Sequence, residues 1–174
     1  IWLGYTENRV FVLDGKNVRR FTSAEGLEVG RIKVIRGRDS TIWCGGETGL
    51  AVLIGDKFHT VKASGKPFGA VSGIIETENG DLWLNEIHGI VKIYADEVRK
   101  TLADPEYSVN FRLFDYEDNL PGGTQMNFTV STAVEATDKR LWFATDNGLA
   151  VIDPQKSEKN NVPPSVVVIT PAVL

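Results

Sequence analysis

The 174-residue sequence carries one cysteine, Cys44, and two histidines, His59 and His88. A single cysteine excludes an intramolecular disulfide and a multi-cysteine metal site. Cys44 follows Trp43 inside an apolar run, where a cysteine is a small buried hydrophobe rather than a reactive thiol. Two histidines are too few for a three-histidine zinc site. No stretch approaches the roughly 18 apolar residues of a membrane span, so no direct membrane contact is expected. There is no secretory leader and no initiator methionine, and the opening on Ile1-Trp2-Leu3 reads as a cut into a longer protein. Positive charge is not concentrated either. Nineteen Lys and Arg stand against 23 Asp and Glu for a net charge of −4, and the tightest basic groups, Arg19-Arg20 and Arg31–Arg38, are interrupted or flanked by apolar residues. No nucleic-acid-binding face is therefore expected. The chain also lacks a Gly-x-Ser-x-Gly elbow, a phosphate loop and a convergent set of titratable groups, so no catalytic residue, cofactor or metal is assigned.

What is present is a repeat. Trp2, Trp43, Trp83 and Trp142 each follow an aliphatic residue, at intervals of 41, 40 and 59. Six residues after three of them come Gly49-Leu50, Gly89-Ile90 and Gly148-Leu149, while the first repeat has Asn8-Arg9-Val10. Asn is next to Gly in tolerance of a left-handed turn, so the first unit is a degenerate copy. In the second unit strands are expected over Ile32–Ile35, Thr41–Cys44, Leu50–Ile54 and Lys57–Lys62. In the third they are Val71–Glu76, Leu82–Asn85 and Ile90–Tyr94, and in the fourth Val130–Ala136, Leu141–Thr145 and Leu149–Asp153. No window of useful length shows a helical period. The expectation is an all-β chain of about four four-stranded antiparallel β-propeller blades, the first and last incomplete, over residues 1–160. A β-sandwich or a solenoid of hairpins is the less favoured alternative, because a large aromatic recurs where stacked blades need a wedge filled.

The stretch Leu141-Trp142-Phe143-Ala144-Thr145-Asp146-Asn147-Gly148-Leu149, running on to Asp153-Pro154, resembles the two-component-regulator propeller repeat. Residues 42–50 and 82–90 are looser copies, and Glu25-Gly26-Leu27 and Asp118-Asn119-Leu120-Pro121 resemble the family's segment between blades. Residues 161–174 resemble the exit from a last blade, leading into an immunoglobulin-like domain or supplying a closing strand through Val166–Ile169. The resemblance implies a non-catalytic periplasmic sensor, the extracytoplasmic part of a membrane-anchored bacterial signalling protein. Such a propeller binds a small molecule or oligosaccharide and passes the signal to an output domain. A structural or dimerisation spacer is the alternative, and a metal-dependent propeller lyase a third. Open strand edges make self-association, or packing on further blades, an expected property.

The candidate ligand-binding residues lie in the turns after the tryptophan strands, Glu47, Glu86, His88, Asp146 and Asn147, and in the longer third repeat, Gln125 and Asn127. Turns of one kind gather on one face of a propeller. That longer segment, Ala103–Phe128, also carries Tyr107, Phe111, Phe114, Tyr116 and Phe128, and rings beside amides suit sugar or peptide recognition. The plainer reading is an elongated outer strand over Val109–Asp115. Asp39, Asn79 and Asp138 are read as turn stabilisers and His59 as a half-exposed strand residue.

Overall fold

The computed structural model describes residues 1–38, 40–126 and 130–157. The exit segment 161–174, Asp39, Asn127 and Phe128 lie outside them.

The described residues form successive antiparallel sheets, each one blade. The first holds β1 (Trp2–Gly4), β2 (Val10–Asp14) and β3 (Asn17–Phe21). The second holds β4 (Ile32–Arg38), β5 (Thr41–Gly46), β6 (Gly49–Ile54) and β7 (Lys57–Thr60) in that spatial order. Two residues further on lies β8 (Lys62–Ala63). The third blade holds β9 (Val71–Glu76), β10 (Leu82–Glu86) and β11 (Gly89–Ile93). After β11 the chain forms α1 (Ala95–Ala103), then β12 (Ser108–Val109), then β13 (Arg112–Phe114), which closes the third blade as its outer strand. The fourth blade holds β14 (Ala133–Glu135), β15 (Leu141–Thr145) and β16 (Gly148–Ile152), followed by the short α2 (Pro154–Ser157). β4, β9 and β14 lie side by side as the leading strands of consecutive blades. These are β-propeller blades, built on a strand meander with the tryptophan in the second strand.

Three-layer stacks hold the first and third blades. Arg19 lies 4.3 Å from the Phe21 ring centroid, and Phe21 stacks on Trp2 at 5.9 Å. Arg112, Phe114 and Trp83 repeat the arrangement at 4.4 and 5.7 Å. An Arg two residues before a Phe in the outer strand reaches over the ring because strand side chains alternate faces. Trp83 also meets Phe143 of the next blade at 6.4 Å, so the aromatic fills the wedge between neighbours. Cys44 is fully buried, and burial pushes its thiol up to about 12, the signature of an inert core residue.

The first turn differs from the expected degenerate copy. β1 pairs Gly4 with Val10, and the Tyr5 N–H donates to Arg9 O, so three residues fill the turn where the other blades use two. Glu7 and Asn8 both take positive φ, 58° and 55°. Asn8 is left-handed as expected, but Arg9 occupies the place of Gly49. The segment between blades is also confirmed in form. Thr22 and Glu25 make a reciprocal cap with Gly26 at φ 83°, and Asp115, Asp118 and Asn119 repeat it. A Cβ on Gly26 would lie 2.2 Å from Phe58 O, so the position requires glycine.

Three expectations need correction. The chain does contain a helix, α1. Its buried residues are Glu97, Val98 and Thr101, and its apolar positions Ala95, Val98 and Leu102 fall at helical spacing over a window of only nine residues. Its first N–H, on Ala95, donates to Asp81 Oδ1 at 2.9 Å, so the cap comes from the preceding strand hairpin rather than from Tyr94. The outer strand expected over Val109–Asp115 is split. Ser108–Val109 pairs parallel with Lys62–Ala63, and Arg112–Phe114 pairs with β11. Asn110 breaks the run by giving its N–H and side-chain amide to Glu97. Finally, the strand expected over Val130–Ala136 spans only Ala133–Glu135, and the backbone N–H of Thr132 donates to Ser72 O of the neighbouring blade.

A cleft on the third blade, the candidate functional site

The turns after the Trp43, Trp83 and Trp142 strands are each tied to the segment that feeds their own blade. Glu47 accepts from the Arg31 N–H at 3.3 Å and pairs with the Arg31 guanidinium at 3.5 Å. The Asp146 N–H donates to Gly123 O, and the Asn147 amide donates to Pro121 O at 3.0 Å. Glu47, Asp146 and Asn147 thus act blade by blade, and no hydrogen bond or ion pair joins them among the described residues. Gln125 sits on the inner rim, where its carbonyl accepts from Ser72 Oγ at 2.7 Å and its N–H donates to Ala144 O. Ser72 is the bulged residue of β9, at the position Lys33 holds in β4, and Lys33 reaches Met126 O. Both bulges re-aim a side chain toward the same segment. The Asp138 carboxylate and the Asn79 amide oxygen accept backbone N–H groups within their hairpin turns, at 3.1 and 3.3 Å, and His59 is half-buried in β7.

Glu86 and His88 do come together. Glu86 ends β10 and is buried, which is costly for a carboxylate unless donors surround it. Its oxygens accept from the Gly69 N–H at 2.6 Å, the His88 N–H at 2.7 Å and His88 Nδ1 at 2.9 Å. Its own carbonyl accepts from the Thr124 hydroxyl. His88, in the two-residue turn, is held by Nδ1, and its Nε2 lies 2.7 Å from Lys66 Nζ. An ammonium has no lone pair, so Nε2 is the acceptor and Nδ1 carries the proton given to Glu86. The chain of contacts therefore runs Lys66, His88, Glu86.

That chain borders a cleft of about 340 Å³. Its wall is apolar: Phe68, Val91, Phe111 and Leu113, with the Phe68 and Phe111 rings 5.1 Å apart. Asp115 and Tyr116 complete the rim, Tyr116 being 79% exposed. Asp115 is spent locally, since its carboxylate accepts from the Glu117 N–H at 2.9 Å. Two features that the sequence offered separately, the Glu86–His88 turn and the aromatics of the long third repeat, thus meet in one place. Phe114 and Tyr107 do not join them. Phe114 is in the Trp83 stack, and Tyr107 bonds Glu97. Lys66 and Phe68 gave no motif. The only hint was an isolated Phe in the Gly- and Pro-containing segment 64–69.

Solved structures match this fold. The extracellular domain of the hybrid two component system BT3049 from B. thetaiotaomicron aligns over 90% of the chain with a TM-score of 0.68 and 20% identity. The extracellular domain of the one component system BT4673 from the same organism aligns over 89% at 0.61 and 19%. PorZ, a surface component of the type-IX secretion system of Porphyromonas gingivalis, aligns over 87% at 0.55 and 15%. The likeness is one of fold. The chain spans only 20%, 19% and 24% of those three proteins. No protein-family model matches it, and no curated protein does. Among the described residues no helix is long and apolar enough to cross a membrane.

The wall carrying Phe111 depends on Glu97, which lies on the buried face of α1. The Lys100 ammonium, 2.6 Å away, does most to hold its carboxyl at about 2 against an ordinary value of 4.5, with Asn110 and Tyr107 adding donors. A depressed carboxylate stabilises the fold above its unfolded value and loses that contribution as pH falls toward its folded one. Lys100 is half exposed, so the contribution is screened to on the order of 1–2 kcal/mol. Native-state stability is expected to fall between pH 4.5 and about 2 more steeply than in Glu97→Gln, measured by urea unfolding at stepped pH. Equal slopes would show that Glu97 does not hold the segment.

Proposed function

We propose that this chain is a non-catalytic, periplasmic propeller segment of a membrane-anchored bacterial signalling protein of the two-component-regulator propeller type. In this reading it binds a small molecule or oligosaccharide in the third-blade cleft and passes the signal to an output domain. The observation that carries the reading is the Lys66–His88–Glu86 chain set against an apolar, ring-lined cleft. Such sites combine an apolar wall with a few fixed polar groups. The fold shared with extracellular domains of two-component and one-component systems supports the setting. His88 is oriented by a carboxylate as a general base would be, but its Nε2 lone pair is already taken by Lys66. That favours binding over acid–base chemistry.

A thermal-shift screen of metabolites and oligosaccharides on this chain and on the full-length protein tests the proposal. A ligand should raise the Tm of both, and Phe111→Ala, at a half-buried position, should abolish the shift. A shift confined to the full-length protein and insensitive to Phe111→Ala would favour the scaffold reading. One observation already speaks for that second reading: β1 and β16 are edge strands among the described residues, and Ile1 and Leu3 are exposed along β1. In this reading the edges pair with further blades or with a second copy. Sedimentation showing only monomer at high concentration would exclude the second copy.

A further inference from the structure

The cleft's chemistry narrows the ligand class, an inference that rests on the cleft being the binding site. We infer that it takes a small organic acid, one carboxylate on a single ring or short apolar body, rather than an oligosaccharide. Three observations lead there. The wall of Phe68, Val91, Phe111 and Leu113 offers almost no hydrogen-bonding partner, whereas a sugar brings a hydroxyl on nearly every carbon. The volume, about 340 Å³, lies at the small end of ligand sites and suits one ring.

The single ammonium on the rim supplies the third. Glu86 is saturated by three donors, two of them backbone N–H groups. Asp115 is occupied as the cap of the turn that follows it. Lys66 has only the neutral His88 nitrogen for a partner, and among the described residues no carboxylate pairs with it. The rim therefore presents one exposed ammonium, held by the His88 nitrogen alone, beside an apolar wall. A carboxylate arriving there gains a charge-assisted hydrogen bond from Lys66 while its body covers the apolar wall. His88 acts as a positioning residue, since Glu86 fixes its ring and its Nε2 fixes the ammonium.

The test uses phenylacetate, 2-phenylethanol and cellobiose as probes of the whole chain, with the methyl resonances of Val91 and Leu113 as reporters. Phenylacetate should shift both methyls and bind about tenfold more tightly than 2-phenylethanol. Lys66→Met, at an exposed position, should erase that difference, phenylacetate falling to the affinity of 2-phenylethanol. Equal affinity of acid and alcohol overturns the charge argument and leaves the cleft as the site. Shifts with cellobiose and none with phenylacetate overturn the ligand class alone. Silence of both methyls to all three probes overturns this inference, and a glycan or metabolite hit in the thermal screen that Phe111→Ala abolishes would still uphold the cleft.

Discussion

A Lys92→Val protein is expected to lose about 3–5 kcal/mol of stability, read from the midpoint and slope of urea unfolding. Lys92 lies on β11 directly opposite Trp83 and is 2% exposed. Its ammonium is 2.9 Å from Asp81, itself almost fully buried, and lies 5.1 Å from the Trp83 ring centroid and 4.6 Å from that of Tyr94. Removing one partner strands a buried charge, which costs far more than the pair contributes. The corresponding positions opposite Trp43 and Trp142 hold Val52 and Val151, so the backbone accepts valine there. Adding Asp81→Asn removes the stranded charge, and the amide oxygen can still accept the Ala95 N–H that starts α1, although the bond from the Asn79 amide to the second oxygen is lost. The double variant should therefore recover all but about 1–2 kcal/mol. A single variant as stable as the parent would mean the pair contributes no constraint. A double variant as weak as the single would place the loss in packing around Trp83 rather than in charge.

This pair also shows where reading the chain stops. The tryptophan interval and the Gly-aliphatic step locate the blades, because both reflect local geometry: a hairpin turn and one wedge-filling ring per unit. Val71–Glu76 and Leu141–Thr145 match their expected strands to the residue. The third blade departs from its own repeat with buried polar residues. Lys92 stands where valine does elsewhere, and Asn85 and Glu86 stand where Gly45-Gly46 and Ala144-Thr145 do. Each side chain only makes sense with a partner distant in sequence. Asn85 Nδ2 reaches Thr132 Oγ1 at 2.8 Å, and Glu86 reaches Gly69. No local pattern encodes such pairings. The cleft was half visible for the same reason: His88 and Phe111 stood out singly, while Lys66 had to be brought by the crossing segment between blades.

Substituting the tryptophans should give unequal losses, although they share one sequence position. Trp83 is fully buried, stacks on Phe114 at an interplanar angle of 15° and contacts Phe143 of the next blade. Trp83→Ala leaves a ring-sized void in both blades and is expected to cost about 3–5 kcal/mol. Its indole Nε1 has no hydrogen-bond partner among the described residues, so Trp83→Phe removes area without losing a bond. That variant should cost under about 1.5 kcal/mol. Trp142 is only half-buried, with Arg140 5.7 Å from its ring, and less apolar area is lost there. Trp142→Ala is expected to cost under about 2 kcal/mol, measured by the same urea unfolding. If the two alanine variants lost equal stability, the ring would matter as a repeat feature common to all blades. The expected inequality instead follows from the wedge: a tryptophan stabilises its blade in proportion to what the next blade sets against it, and Phe143 is what the fourth blade sets against Trp83.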